Sequence, residues 1–463
     1  MRKQYLVCVA PALALAFASA CQDKSSGGDN ATPTAPTPSA ATAASSSSPI
    51  ASASSAAPAK PPPCTVVSTV SLDKGARADT GLTVVMLAGN QAAIGYAVGE
   101  TPKVITIDTA GKTEQADVSW GHVHDQEKKT DPAMTRSIHR VTPLGFKGNK
   151  MRVGIDLVDE SKDKSAARYL RCGAGDDEPI IADTTPLNFY EPTEDAVAAL
   201  GPDVTDVRDC RTFSNGEATW SLYTEVRRDG TGDDHDIRLT WSLDTLPGKG
   251  TIKNPNVDKR IAKPSKDKRY GTLDHFSMPV SVNAGTAGFM MVARDSGGLD
   301  FARRNDDLSA AGGPWPMAFP EGAGLPSMMQ KDERVFLAAT EWNKTDLFTS
   351  TFLGTEAPKK PTKVALVDSA PPTEGARDWP SLSPASDGSL FVSFLDGKAP
   401  KRRVRLVVLG PDMAQKTSDV FDVFSGDSNI VESRVVAIAD KKALVTYLDA
   451  KGELTGAVVS CTY

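Results

Sequence analysis

Helical periodicity is almost missing from this 463-residue sequence. Outside a short stretch at Glu194 to Leu200, apolar residues do not recur at three- and four-residue spacing. That leaves an all-β fold class. Signatures of common catalysis are missing as well. There is no G-x-S-x-G elbow, no H-E-x-x-H helix and no phosphate-cradling glycine loop, so nucleophilic-serine, zincin and P-loop chemistry have no carrier. Positive charge is in deficit, with 52 Lys+Arg against 58 Asp+Glu and a formal net charge of −6. Nucleic acid and anionic headgroups are poor main partners for such a chain. Histidine is scarce, and the five present are His122, His124, His139, His235 and His275.

What is there begins at the N-terminus. Arg2 and Lys3 give a positive start, and no further charge occurs until Asp23. Tyr5 to Phe17 is apolar or small throughout, the length of a signal-peptide core, with Pro11 in its middle. An uncleaved membrane anchor is the alternative for this uncharged run, although alanine and cysteine rather than leucine-like residues make up much of it. Ala18-Ser19-Ala20 supplies the small side chains that a signal peptidase requires, which predicts a signal peptide over residues 1–20.

Ala18-Ser19-Ala20-Cys21 resembles the lipobox of bacterial lipoproteins, with alanine at Ala18 where leucine is usual. The resemblance implies acylation of Cys21, palmitate among the acyl chains, and attachment to the cell envelope. Ordinary A-x-A cleavage would cut the same bond and leave a free thiol. Cysteine arithmetic favours lipidation. Cys8 leaves with the signal peptide, and acylation of Cys21 leaves Cys64, Cys172, Cys210 and Cys461, enough for two disulfides. By the same resemblance, Gln22 after the lipidated cysteine points to the outer membrane, without fixing its periplasmic or outer face.

Residues 21–63 form the expected lipid-anchored linker. From Gln22 to Pro63 the chain is mostly Ser, Ala, Pro and Thr, with Ile50 its only large aliphatic residue. Such a segment cannot bury enough apolar area to offset its chain entropy, so disorder is predicted. Its prolines, ending in Pro61-Pro62-Pro63, bias it toward extended conformations. Fully extended it would reach roughly 130 Å at ~3.1 Å per residue. Loss of Arg2 and Lys3 with the signal peptide makes the mature chain −8 by formal charge.

The remaining segment, 64–463, contains one kind of apolar run seven times, each after a turn-like residue. The runs are Ala92–Ala97, Met151–Asp156, Thr219–Thr224, Phe289–Arg294, Val335–Thr340, Leu390–Leu395 and Ala443–Leu448. Their spacing of 47 to 69 residues, with polar loops and partner strands between, resembles the β-propeller architecture in general. A propeller of about seven blades is therefore expected, with tandem β-sandwiches as the rival. The second strand of a blade is covered on both faces, which accounts for runs this apolar. Propellers commonly close by pairing the first strand of the chain into the last blade. That resemblance implies a Cys64–Cys461 bridge between Thr65–Val70 and Ala457–Cys461, worth something like 4–5 kcal/mol by loop entropy, and leaves Cys172 to pair with Cys210.

Chemistry-bearing clusters are few. His122-Val123-His124 with Asp125 offers two imidazoles on one side of an extended segment but no further ligand. Asp229 to Asp236 departs from a calcium loop at Thr231, His235 and Thr240 and fits a turn between Trp220–Val226 and Ile237–Trp241 better. The Asp-box of sialidase-like propellers is not completed: Thr219-Trp220 matches its end, but Asn215 and Glu217 stand where Asp and Gly belong. Two basic clusters, Lys253 to Arg269 and Lys401-Arg402-Arg403, read as solvated connections. The expectation is an envelope lipoprotein with a non-catalytic binding or scaffolding domain, not an enzyme. No metal, cofactor or catalytic residue is predicted, and the partners are the membrane and an envelope protein or glycan. The alternative is a propeller-type enzyme acting on polysaccharide or lactone-like substrates.

Overall fold

The computed structural model describes residues 63–463 with breaks, the longest at 119–133, 177–203, 244–258, 263–275 and 278–287. Every regular element among the described residues is a strand. β1 (Cys64–Lys74) opens the domain. A first hairpin series follows as β2 (Thr83–Leu87), β3 (Gln91–Val98), β4 (Thr101–Ile107) and β5 (Thr113–Ala116). Next come β6 (Met134–Lys147), β7 (Lys150–Ser161), β8 (Arg168–Arg171) and β9 (Gly175–Asp176), then β10 (Val204–Ser214), β11 (Ala218–Arg228), β12 (Asp233–Leu243) and β13 (Lys259–Ala262). The fourth series is β14 (Phe276–Ser277), β15 (Gly288–Asp295), β16 (Gly298–Asn305) and β17 (Ala310–Ala318); the fifth is β18 (Ser327–Lys331), β19 (Arg334–Thr340), β20 (Leu347–Leu353) and β21 (Thr362–Lys363). The sixth is β22 (Ala376–Pro384), β23 (Leu390–Gly397), β24 (Arg403–Leu409) and β25 (Phe421–Phe424). The chain ends in β26 (Ile430–Ala439), β27 (Lys442–Asp449) and β28 (Glu453–Cys461).

The described strands make seven four-stranded antiparallel sheets. Six are contiguous in sequence. The last takes β26, β27 and β28 and completes itself with β1, whose Cys64 pairs with Cys461. All seven apolar runs of the sequence fall on the second strand of a sheet, at β3, β7, β11, β15, β19, β23 and β27. The physical reason is visible in β23 and β27. Each lies between two hydrogen-bonded neighbours and is covered on both faces, so nearly every residue is buried. The hairpin expected around Asp229–Asp236 is the β11–β12 ladder, which runs from Ala218↔Leu243 to Arg228↔Asp233.

Sheets stack face to face in chain order. One apolar core joins the β22–β25 sheet to the last one through Phe391, Leu395, Val435 and Val445. Another joins the last sheet to β2–β5 through Ile94, Tyr96, Val436 and Leu444. Further cores link β2–β5 to β6–β9, β14–β17 to β18–β21, and β18–β21 to β22–β25. The first strands of successive sheets lie side by side in the order β14, β18, β22, β26, β2, β6 and β10. Gly95 shows how closely the sheets approach: a Cβ there would lie 2.3 Å from the Val141 carbonyl oxygen.

Candidate functional site

The first strands are stitched to one another by side chains, and this fixes their relative height. The Val435 N–H donates to Ser381 Oγ at 3.1 Å, and the Ala437 N–H to Ser383 Oγ at 2.9 Å. β22 and β26 therefore advance together, which brings Asp378 and Trp379 level with Glu432 and Ser433. On the other side of β26 the Leu82 N–H donates to Glu432 Oε2 at 2.8 Å, and Arg434 Nε to the Leu82 carbonyl at 3.2 Å. Thr83 Oγ1 then donates to the Val141 carbonyl of β6. The first strands of four successive sheets are thus tied in series, with Asp378 and Glu432 near the starts of β22 and β26.

Asp378 and Trp379 occupy the irregular part of that level. The β22–β23 register slips between Asp378 and Ser381, where Pro380 has no N–H to give to the ladder. Trp379 takes a left-handed backbone with φ 53°, a conformation that costs a bulky residue about 1–3 kcal/mol and is seen mostly where function requires it. Its ring packs on the core shared by the last two sheets. Burial pushes the Asp378 carboxyl above the usual carboxylate range, and Arg402 opposes this. Arg402 reaches it at 3.4 Å from the β23–β24 connection, and the two side chains remain 23% and 27% exposed. Asp378 is therefore a protonatable acid open to solvent on a strained strand.

Beneath this pair lies a buried ion network. Arg405 NH1 donates to Asp396 at 2.9 Å and to Asp368 at 2.8 Å, and its Nε lies 2.6 Å from Asp422. Arg403 donates to Asp396 at 3.1 Å, and Arg377 pairs with Asp368. Three guanidiniums meet three carboxylates, which is the condition for charges this deep to be tolerated. Burial raises the Asp396 carboxyl, and its arginines pull it back in part. Arg377 also donates to the Thr345 carbonyl at 2.8 Å, while its backbone N–H bonds the Lys344 carbonyl at 3.0 Å. The network therefore fixes the start of β22 against the preceding sheet and so positions Asp378.

The sequence-derived candidates fare unevenly. Cys64 and Cys461 are bridged, at a Cα–Cα distance of 4.0 Å. Cys21, Cys172, His122, His124 and His275 lie outside the described residues, as does most of Lys253–Arg269. Cys210 and His235 are placed only as backbone, on β10 and β12. The reading of Lys401-Arg402-Arg403 as a solvated loop is corrected: Lys401 is exposed, but Arg402 holds Asp378 and Arg403 enters the buried network. Sequence reading passed over Asp378 and Glu432. The available signal was Arg377-Asp378-Trp379-Pro380, two opposite charges and a proline at the head of an otherwise apolar strand.

No protein-family model matches the chain, and no curated protein matches it by sequence. Solved structures of similar topology exist. A Hadza microbial sialidase, Hz136, aligns at 10% identity and a TM-score of 0.42 over 81% of this chain and 64% of its own. A phage phi92 endosialidase aligns at 10% identity and 0.43 over 87% and 70%. A glycosyl hydrolase from Bacteroides ovatus aligns at 12% and 0.31 over 55% and 84%. The chain spans a little under two thirds of the length of the first of these (64%). The expectation of a non-catalytic binding or scaffolding domain that is not an enzyme is corrected: these neighbours are a sialidase, an endosialidase and a glycosyl hydrolase. Likeness this distant concerns topology, so the chemistry must be argued from Asp378 and its surroundings.

Proposed function

We propose that the chain is an envelope enzyme acting on polysaccharide or lactone-like substrates, with its site at the entry ends of β22, β26 and β2. The observation that carries this reading is Asp378, a half-buried carboxyl biased toward its protonated form beside a strained Trp379. Cleavage of a glycosidic bond needs an acid that gives its proton to the bridging oxygen as the bond to the sugar carbon breaks. Water supplies the new hydroxyl, and its proton returns to the acid. A lactone ring oxygen would take the same proton. Glu432 on the neighbouring first strand is buried and bound to Arg434 and the Leu82 amide, so its part is to hold β26 and β2 in place beside Asp378. Trp379 gives an apolar face for a sugar ring, and Arg402 and Arg434 give donors for its oxygens.

The seven sheets are proposed to form a closed ring. The side-by-side order of the first strands and the placement of β1 in the last sheet support this. Anchoring through acylated Cys21 is part of the same proposal and is tested by the mass of the N-terminal peptide, which should carry acyl chains and lose them in Cys21→Ala. The catalytic reading is tested with wild type and Asp378→Asn on a panel of envelope polysaccharides and lactones. Wild type should release product, and the variant should be about 10²–10⁴-fold slower while its circular dichroism stays that of the folded wild type. Equal rates in the two proteins, or no release by wild type, would sink it.

A further inference from the structure

The bridge between Cys64 and Cys461 sits at the first register pair of the β1–β28 ladder, where the linker enters the domain. β1 and β28 are antiparallel, so Pro63 and Thr462 leave the ladder at the same end, joined by a 2.9 Å bond from the Thr462 N–H to the Pro63 carbonyl. A pull on residue 63 would meet β1 end-on. It would peel the strand from its free edge one ladder bond at a time, because β1 is the outermost strand of its sheet and pairs only with β28. Peeling breaks bonds in sequence rather than together, which is the weakest direction for a strand pair.

We infer that the Cys64–Cys461 bridge is a clasp that protects the domain from tension applied through its N-terminal linker. Tension arriving at Cys64 passes across the sulfurs to Cys461 before it can open a second pair. Cys461 lies on β28, an interior strand held by β27 on its other side and by the Lys441 carbonyl at 2.8 Å. The pull is thereby moved from an edge strand to an inner one. Both cysteines are almost completely buried, at 1% and 2% exposure, so the clasp is closed to thiols in the folded domain. The bridge also spans 397 positions of sequence, so nearly the whole domain lies within the loop that it closes. For a pull between the linker and the C-terminus, that loop carries none of the tension.

The second feature that fits a clasp is what β1 does beyond it. Asp73, near the far end of the strand, accepts from Tyr96 Oη and Lys103 Nζ, both at 2.8 Å, and so ties β1 to the neighbouring β2–β5 sheet. A strand peeled from Cys64 would therefore carry away a tie between two sheets. Loss of the edge strand and loosening of the sheet interface are one event.

The inference does not depend on catalysis, and its test is mechanical. Full-length mature protein is held by a tag within the linker and a tag after Tyr463, and is stretched singly. The oxidised wild type should show only the extension of the linker. In Cys64→Val/Cys461→Val, chosen to retain apolar packing, the first event should lengthen the chain by about 60–70 Å, the 11 released residues of β1 plus the length of ladder that then separates Lys74 from residue 461. Further events should follow up to roughly 1,300 Å, the reach of the 397-position loop. Domain extension in the oxidised wild type would overturn the clasp, as would a variant in which another element yields before β1. If the double variant does not fold, hydrogen exchange of Cys64→Val alone supplies the reading: β1 amides should exchange faster than in wild type while β27 amides keep their protection. Unchanged β1 exchange would count against the inference.

Discussion

Asp396 and Arg405 are the most deeply placed charges described, at 0% and 1% exposure. An uncompensated charge at that depth is far more costly than the pair itself, so Arg405→Leu should destabilise the domain by about 3–5 kcal/mol in urea unfolding. Arg405→Leu with Asp396→Leu should recover part of the loss, because the most buried carboxylate is then no longer stranded, while Asp368 keeps Arg377 and Asp422 keeps Arg403. Two other carboxyls give opposite pH slopes. For Asp73, burial works against ionisation, but hydrogen bonds from Lys103, Tyr96 and the Lys74 amide outweigh it and hold the carboxyl below its usual range. Its contribution is present above the unfolded value of ~3.9 and is lost as pH falls through the folded one. Asp378 is raised by burial, so between ~3.9 and its folded value the native state keeps a proton that the unfolded chain has released. Stability contributed there declines as pH rises. Asp378→Asn should flatten that limb of the stability profile, read by melting temperature against pH, whereas Asp73→Asn should flatten the acid limb.

At the scale of elements, second strands were legible and first strands were not. β3, β19, β23 and β27 are covered on both faces, so burial writes a continuous apolar run that no other element imitates. β22 and β26 each have one ladder neighbour, and polar residues on and just before these first strands find partners far along the chain. Asp378 meets Arg402 across 24 positions, Asp368 meets Arg405 across 37, and Glu432 meets Leu82 across 350. Periodicity cannot carry pairings of that kind, which is why the site was missed while its scaffold was seen. The closing strand was legible for a different reason: the propeller resemblance implied that the first strand joins the last sheet, and Cys64 and Cys461 stand on those two strands. Spacing between neighbouring sheets is an element-scale property too. A Cβ at Gly95 would meet the Val141 carbonyl oxygen at 2.3 Å and Pro143 Cδ at 2.7 Å, and backbone cannot yield there without moving β6. Gly95→Ala should therefore cost about 1–3 kcal/mol, measured by denaturant midpoint with an unchanged slope.

For the molecule as a whole, the site and the point of attachment lie at opposite ends of the same sheet. β26 enters at the level of Glu432 and leaves at the turn whose Lys441 carbonyl receives the Cys461 N–H. Cys64 and Pro63 are at that second end, with the linker's last described residue bonded to Thr462. The described domain closes its last sheet with β1 and its disulfide from residue 64 onward, so the folded unit should be complete without the residues before Pro62. β1 is another matter. It supplies the outer strand of the last sheet, one half of the disulfide, and through Asp73 the tie to Tyr96 and Lys103. A chain beginning at Pro62 should therefore melt within a degree or two of the mature protein and keep its rate on soluble substrate. A chain beginning at Gly75 removes only 13 further residues, yet leaves β28 as an apolar edge of nine residues with Cys461 unpaired. An exposed edge of that length and composition recruits other chains. Light scattering should show the Gly75 chain associating at concentrations where the Pro62 chain is monodisperse, and its melting transition should broaden. Coincident melting curves for the two chains would mean that β1 is dispensable to the fold.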